Sequence, residues 1–127
     1  MKIAVLISRI LLGLLFTVFG LNGFLPFIPM KPPTGLAAQY MGALFVSHYL
    51  VVVFLLQLIG GVLLLLNRFV PMALLLLGPV LVNILLFHSF MAPEGLPIAL
   101  FAMVLWLIVF AGVRQAFAGV FAHRVEA

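Results

Sequence analysis

The sequence contains no cysteine and very few charged side chains. Of its 127 residues, six are Lys or Arg and two are Asp or Glu. The missing cysteine excludes disulfides, thiolate metal sites and cysteine-ligated iron–sulfur clusters from this chain. The scarcity of charge excludes a water-soluble globule, because a chain that is 68% hydrophobic cannot cover its surface with polar groups. We therefore expect lipid to be the solvent of this protein.

Carboxylates are the scarcest charged groups. Glu94 lies between two apolar runs, and Glu126 lies near the C-terminus, at the opposite end of the predicted molecule. Catalysis by a pair of carboxylates is therefore excluded, because the two groups would have to be neighbours. Ser47 and His48 are adjacent but have no suitably placed acidic partner for a nucleophilic triad. We expect no catalysis by this chain alone.

Long apolar runs are what the sequence has in abundance. They are each about 17–25 residues long, the length that a helix needs to cross a bilayer core, and they cover residues 4–24, 49–66, 71–91 and 97–113. The sequence thus predicts an all-α membrane protein, a four-transmembrane-helix bundle that forms one domain over residues 1–127. A proline-rich loop after the first span predicts a break in the helix. Thr34 then caps a short predicted helix in the outer interface, between the first two spans.

The basic residues are unevenly distributed between the two sides of this bundle. Cytoplasmic loops collect Lys and Arg, so the distribution predicts that both termini lie inside the cell. Anionic lipid is the expected partner of the basic residues, which form no stripe with interleaved aromatic residues and so give no indication of nucleic-acid binding. The basic residues near the termini and in the turn between spans two and three are Lys2, Arg9, Arg68, Arg114 and Arg124. The connections on the other side, at residues 25–48 and 92–96, hold only Lys31 and Glu94 as charged residues.

Small residues recur at helical spacing in the first two spans. Gly13 and Gly20 share a face of the first span with Arg9, and Gly60 and Gly61 share a face of the second span with Gln57. These faces are predicted to contact protein, because small residues let helices approach closely in lipid. The Arg9 side chain could extend to the headgroups or pack against protein, with Gln57 or a backbone carbonyl as its acceptor. The glycine-lined face favours packing, so both polar residues are predicted to be structural.

Pro79 interrupts the third span directly after Gly78. A proline inside a helix leaves the carbonyl four residues earlier without its usual donor, so we expect a kink or an unwound turn. Asn83, one turn later, is expected to satisfy part of that loss.

Polar residues also gather towards the outer ends of the spans. Counting about 1.5 Å per residue places Asn22, His48 and His88 within about 5 Å of the outer boundary. Together with Asn83, they are the candidate ligand-binding residues. His48 and His88 could also ligate haem or, with methionine, copper. Histidines at an interface more commonly present a polar tip to water, so no metal site is predicted.

Several segments together resemble the DoxX family over nearly the whole chain. They are Arg9-Ile-Leu-Leu-Gly, Met41-Gly-Ala-Leu, Gln57-Leu-Ile-Gly-Gly and Pro79-Val-Leu-Val-Asn-Ile-Leu-Leu-Phe-His, with the proline-rich loop between the first two. The resemblance implies a small four-helix protein of the bacterial inner (plasma) membrane. The family's recurring positions correspond to Arg9, Gly20, Gly61, Asn83 and His88. Gln57 stands where the family often has an acidic residue, which makes a proton relay there doubtful.

Three functions follow from these features. Some DoxX-like proteins are membrane subunits of oxidoreductase systems, including thiosulfate-to-quinone electron transfer and a complex with superoxide dismutase and a sulfurtransferase. The resemblance therefore implies a non-catalytic membrane subunit or anchor whose soluble or membrane partners carry the electrons, with homo-oligomers left open. The alternative is the binding of quinone or another lipophilic small molecule in an outer-leaflet pocket near the four candidate residues. A transporter ranks last, because four spans offer few pore-lining polar residues and no inverted repeat.

Overall fold

The computed structural model describes residues 1–126, and all the regular secondary structure in that range is helical. The helices are α1 (Lys2–Phe24), α2 (Gly35–Val46), α3 (Tyr49–Leu66), α4 (Val70–Phe90) and α5 (Leu96–Val113), and the short 3-10 segments Pro93–Gly95 and Arg114–Phe121 flank α5. The four segments that contain α1, α3, α4 and α5 are long and apolar enough to cross a membrane. The predicted fold class is confirmed, and the helix bounds lie within two residues of the predicted spans. The chain is a multi-pass membrane protein.

The four long helices form a ring in which each packs on two neighbours. α1 and α4 both pack against α3 and α5, so α1 and α4 lie diagonally across the bundle from each other. Only short connections join α3 to α4 and α4 to α5, so these helices run in opposite directions. We call the end that holds Met1 and the turn at residues 67–69 the inner end. The end that holds α2 and residues 91–95 is the outer end.

The close approach of α1 and α3 depends on glycine. A Cβ atom on Gly61 would lie 2.6 Å from the backbone nitrogen of Thr17 in α1. A Cβ atom on the adjacent Gly60 would lie 2.6 Å from the Leu77 side chain of α4. Neighbouring glycines of α3 therefore serve two different helix contacts. The buried residues of α3 are those that the sequence predicted to face protein, Gln57, Gly60, Gly61 and Leu64.

The tightest packing is concentrated towards the inner end. The side chains with no solvent-accessible surface are Leu12, Leu64, Ala73, Leu74, Leu77 and Val109. Phe117, in the 3-10 segment after α5, folds back so that its ring lies 5.0 Å from that of Phe110. Towards the outer end the helices bury little, since α4 has no buried residue beyond Leu81 and α3 has none before Gln57. The bundle is thus dense at one end and loosely packed at the other.

The interfacial helix and the second span are separate helices. α2 ends at Val46, and His48 adopts a left-handed backbone with φ of 64° before α3 begins. A turn at residues 47–48 therefore joins the short helix to the second span. Thr34 occupies the N-cap position with an extended backbone, but its side chain makes no capping hydrogen bond.

α4 remains helical through Pro79, from Val70 to Phe90. The expected unwound turn is absent from this helix. Asn83 does not reach Leu75, whose carbonyl the proline leaves without a donor. Its Nδ2 instead donates to the Pro79 carbonyl, at 2.9 Å. Trp106 of α5 donates its indole N–H to the neighbouring Leu74 carbonyl at 3.1 Å, so α5 braces α4 beside the proline.

Candidate functional site

The helices of the outer half line a half-open cavity of about 1220 Å³. Its walls come from all five helices and from residues 26–30 of the proline-rich loop. Sites for small molecules commonly measure about 300–1,000 Å³ and are mainly apolar with a few polar groups. This cavity is slightly larger than that range and has the same character.

Gln57 is the most deeply buried polar group of the cavity lining. Its side chain is only 7% exposed, and it lies about 12 Å further along α3 than Tyr49 at the outer end. No group within residues 1–126 hydrogen-bonds its carboxamide. Neither polar atom of the carboxamide is among the fully buried side-chain atoms that lack a partner, so both are accessible from the cavity. The carboxamide of Gln57 is therefore available to a molecule in the cavity.

Arg9 lies outside this cavity and is bonded to the last turn of α3. Its guanidinium donates to the carbonyl of Leu64 and lies 3.5 Å from that of Leu65. Carbonyls in the last turn of a helix carry the negative end of the helix dipole, and the Leu64 carbonyl also accepts from the backbone N–H of Asn67 at 3.2 Å. Arg9 is thus packed against protein. Its acceptor is the backbone and not Gln57, so its charge faces a helix end.

Asn22 lines the cavity and holds the proline-rich loop in place. Its Oδ1 accepts from the backbone N–H groups of Phe27 at 2.9 Å and Ile28 at 2.8 Å. The loop has no regular secondary structure there, so these bonds give it a fixed attachment to α1. The carboxamide nitrogen of Asn22 forms neither of the two bonds and is the part left for a ligand.

His88 lines the cavity near its outer rim. Its Nδ1 lies 3.0 Å from the carbonyl of Ala92. Because a carbonyl only accepts, Nδ1 donates, and Nε2 of the neutral ring is an acceptor. The imidazole meets Phe87 edge-on at 5.1 Å, and Phe87 lies 5.6 Å from Tyr40 of α2. This aromatic series links α2 to α4 across the rim.

The four predicted ligand-binding residues do not all meet at this site. Asn22, Asn83 and His88 line the cavity, whereas His48 lies exposed at the junction of α2 and α3, outside the lining. Gln57 also lines the cavity, although the sequence predicted a structural role for it beside Arg9 and not a role in ligand binding. One available signal was that Gln57 is an isolated polar residue in an otherwise apolar span.

Charge is absent from the cavity lining. None of its residues, all within the described part of the chain, is Lys, Arg, Asp or Glu. Its polar groups are carboxamides, tyrosine hydroxyls and one imidazole, so the lining favours an uncharged guest.

Comparison with protein-family models, curated proteins and solved structures gives no match for this chain. The geometry of the cavity is therefore the main basis for a functional proposal.

Proposed function

We propose that this protein binds a lipophilic small molecule of the quinone class in its outer cavity. The observation that carries the proposal is the combination of a large apolar cavity with a buried carboxamide, that of Gln57, which has no protein partner. An apolar site with a few placed polar groups is the usual design of a small-molecule site.

The shape and chemistry of a quinone suit this lining. A quinone has a flat uncharged ring with carbonyl oxygens, and an apolar tail. Phe16, Phe19, Phe54 and Phe87 supply aromatic surface to the cavity, and flat rings pack well against such surfaces. The Gln57 carboxamide can donate to a quinone carbonyl and can accept from the hydroxyl of the reduced form.

The packed inner half supports binding rather than passage through the bundle. Phe16 and Gln57 both line the cavity, and Leu12 and Leu64, further towards the inner end, have no exposed surface. A continuous polar path would have to cross these apolar layers. A transporter therefore remains the weakest of the three functions.

The DoxX-like resemblance supports a second proposal, that the chain is a non-catalytic membrane subunit or anchor of an oxidoreductase system in the bacterial inner membrane. The chain has no cysteine, so thiol chemistry and cysteine-ligated iron–sulfur clusters would belong to partner proteins. A quinone bound in the outer cavity could then serve those partners. The two proposals are compatible, and native co-purification with protein partners would support the second.

The test of the first proposal is ligand retention. The purified protein is analysed by native mass spectrometry, and its lipid extract is analysed for quinones. We expect a retained quinone, and we expect Ile84→Trp, which fills the cavity, to reduce its occupancy. Ile59 is 47% exposed and lies outside the lining, so Ile59→Trp is the matched control and should leave occupancy unchanged. Protein that carries no quinone and binds none when it is added would refute the proposal.

A further inference from the structure

Building on the proposed function, we infer that Gln57 recognises the ligand's polar head, that the head points towards the inner end of the cavity, and that it is uncharged. The apolar part of the ligand then runs towards the outer rim. This inference identifies the specificity-determining residue and the chemical class of the head.

The first argument concerns which polar side chains of the cavity lining still have donors and acceptors without a protein partner. Near the rim, Asn22 Oδ1 holds the loop and His88 Nδ1 holds Ala92. In the wall between, Asn83 Nδ2 donates to Pro79. Gln57 alone among the lining carboxamides has no protein partner on either polar atom within residues 1–126. Both the donor and the acceptor of this carboxamide are therefore free to bind a guest.

The second argument is the placement of Gln57 against α1. A Cβ atom on Gly20 would lie 3.2 Å from Cβ of Gln57 and 2.9 Å from the backbone nitrogen of Leu58. The stem of Gln57 is therefore packed on the bare backbone of α1, while the residue itself lines the cavity. This contact fixes the point at which the Gln57 side chain leaves α3, on the side of the helix that lines the cavity.

The third argument is the chemistry of the head. A carboxamide carries two N–H donors and an acceptor oxygen and has no charge. It can bind a carbonyl or a hydroxyl group with equal ease. A phosphate or carboxylate head would be buried beside no cationic side chain, since none lines the cavity, and burying an unpaired charge is expensive. An uncharged carbonyl or hydroxyl head therefore fits.

The fourth argument is the character of the outer rim. The loop and α2 contribute apolar side chains there, among them Pro26, Phe27, Met30, Met41 and Leu44. These groups suit a hydrocarbon tail, and the polar side chains Asn22 and His88 near the rim each have one polar atom already bonded to the protein. The ligand is therefore oriented with its tail towards the rim.

The test compares three probes on the full-length protein in detergent. They are a benzoquinone that carries an alkyl tail, the alkylbenzene with the same tail, and the alkyl phosphate with that tail. Gln57→Met keeps the length of the side chain and removes its polar atoms. We expect this variant to bind the benzoquinone about tenfold more weakly, the effect of one lost hydrogen bond to a buried group. Alkylbenzene binding should be unchanged, which also shows that the cavity is intact.

Gln39→Met is the matched control, because Gln39 is an exposed glutamine of α2 outside the lining. It should bind all three probes like the wild type. Equal benzoquinone affinity in Gln57→Met and wild type would overturn the role of Gln57. Alkyl phosphate binding as tight as benzoquinone binding would overturn the uncharged head. If the wild type binds neither the benzoquinone nor the alkylbenzene, the proposed function itself fails, and the inference fails with it.

Discussion

Gly61 of α3 lies directly against Thr17 of α1. A Cβ atom at position 61 would come within 2.6 Å of both the backbone nitrogen and Oγ1 of Thr17. That hydroxyl oxygen is buried and has no hydrogen-bond partner within residues 1–126. Helix association in lipid depends largely on van der Waals packing between closely approaching backbones. The absence of a side chain at Gly61 is therefore a requirement of the α1–α3 contact.

Gly61→Ala is expected to destabilise the protein by about 1–3 kcal/mol, the usual cost of overpacking a tight contact. The backbone of α1 cannot move away from one added methyl group without disturbing its neighbours. The measurement is thermal or denaturant unfolding in detergent. Gly42→Ala is the control, because a Cβ atom there would have nothing within 4 Å. It should keep or slightly raise stability, since alanine favours helix over glycine. Equal stability of Gly61→Ala and Gly42→Ala would contradict the close contact.

Arg9→Met is expected to lower stability by about 1–3 kcal/mol, because it leaves carbonyls at the end of α3 without their charged donor. Arg68→Met is the matched comparison. Arg68 lies at the same end of the bundle and is exposed, so both variants remove one positive charge from that side. Unfolding in detergent should show a loss for Arg9→Met and little change for Arg68→Met. If the two variants unfold alike, Arg9 acts only through its charge and not through its contact with α3.

Asn22→Ala is expected to release the proline-rich loop, because the N–H groups of Phe27 and Ile28 lose their acceptor. Hydrogen exchange at these two amides should become faster. Asn22→Asp keeps the accepting oxygens and should preserve slow exchange. Slow exchange in the alanine variant would mean that something other than Asn22 holds the loop.

Lys31→Cys and Arg68→Cys are expected to be labelled from opposite sides of the membrane. The natural chain has no cysteine, so each introduced thiol is the only reactive one. A membrane-impermeant maleimide applied to intact cells should label position 31, in the loop before α2. It should label position 68 only after the membrane is opened. Labelling of both positions in intact cells would reject the predicted orientation.

The spans were predictable from sequence because they depend on properties that add along the chain. Length and hydropathy fix where a helix can cross lipid, and helical periodicity fixes which residues share a face. The buried side of α3, from Gln57 to Leu64, follows from these two rules.

The acceptor of Arg9, the position of His48 and the extent of the cavity were not predictable in this way. They depend on the angles between helices and on the positions of backbone groups, which helical periodicity does not encode. The acceptor of Arg9 is a pair of main-chain carbonyls, which every helix end offers, so the sequence could not single it out over Gln57. His48 has the same predicted depth as His88, yet a left-handed backbone between α2 and α3 places it outside the cavity. The polar residues near the outer ends of the spans predicted an outer-leaflet pocket, but its size and its extension to Gln57 result from loose packing of the outer half, which no residue pattern in the sequence indicates.

Because the bundle is packed unevenly, its two halves are expected to tolerate amino-acid substitutions to different degrees. Substitutions among the fully buried residues towards the inner end should mostly affect the stability of the fold. Substitutions around the cavity should cost less stability, since few native contacts are at stake there. The outer half is therefore expected to accept more sequence change than the inner half.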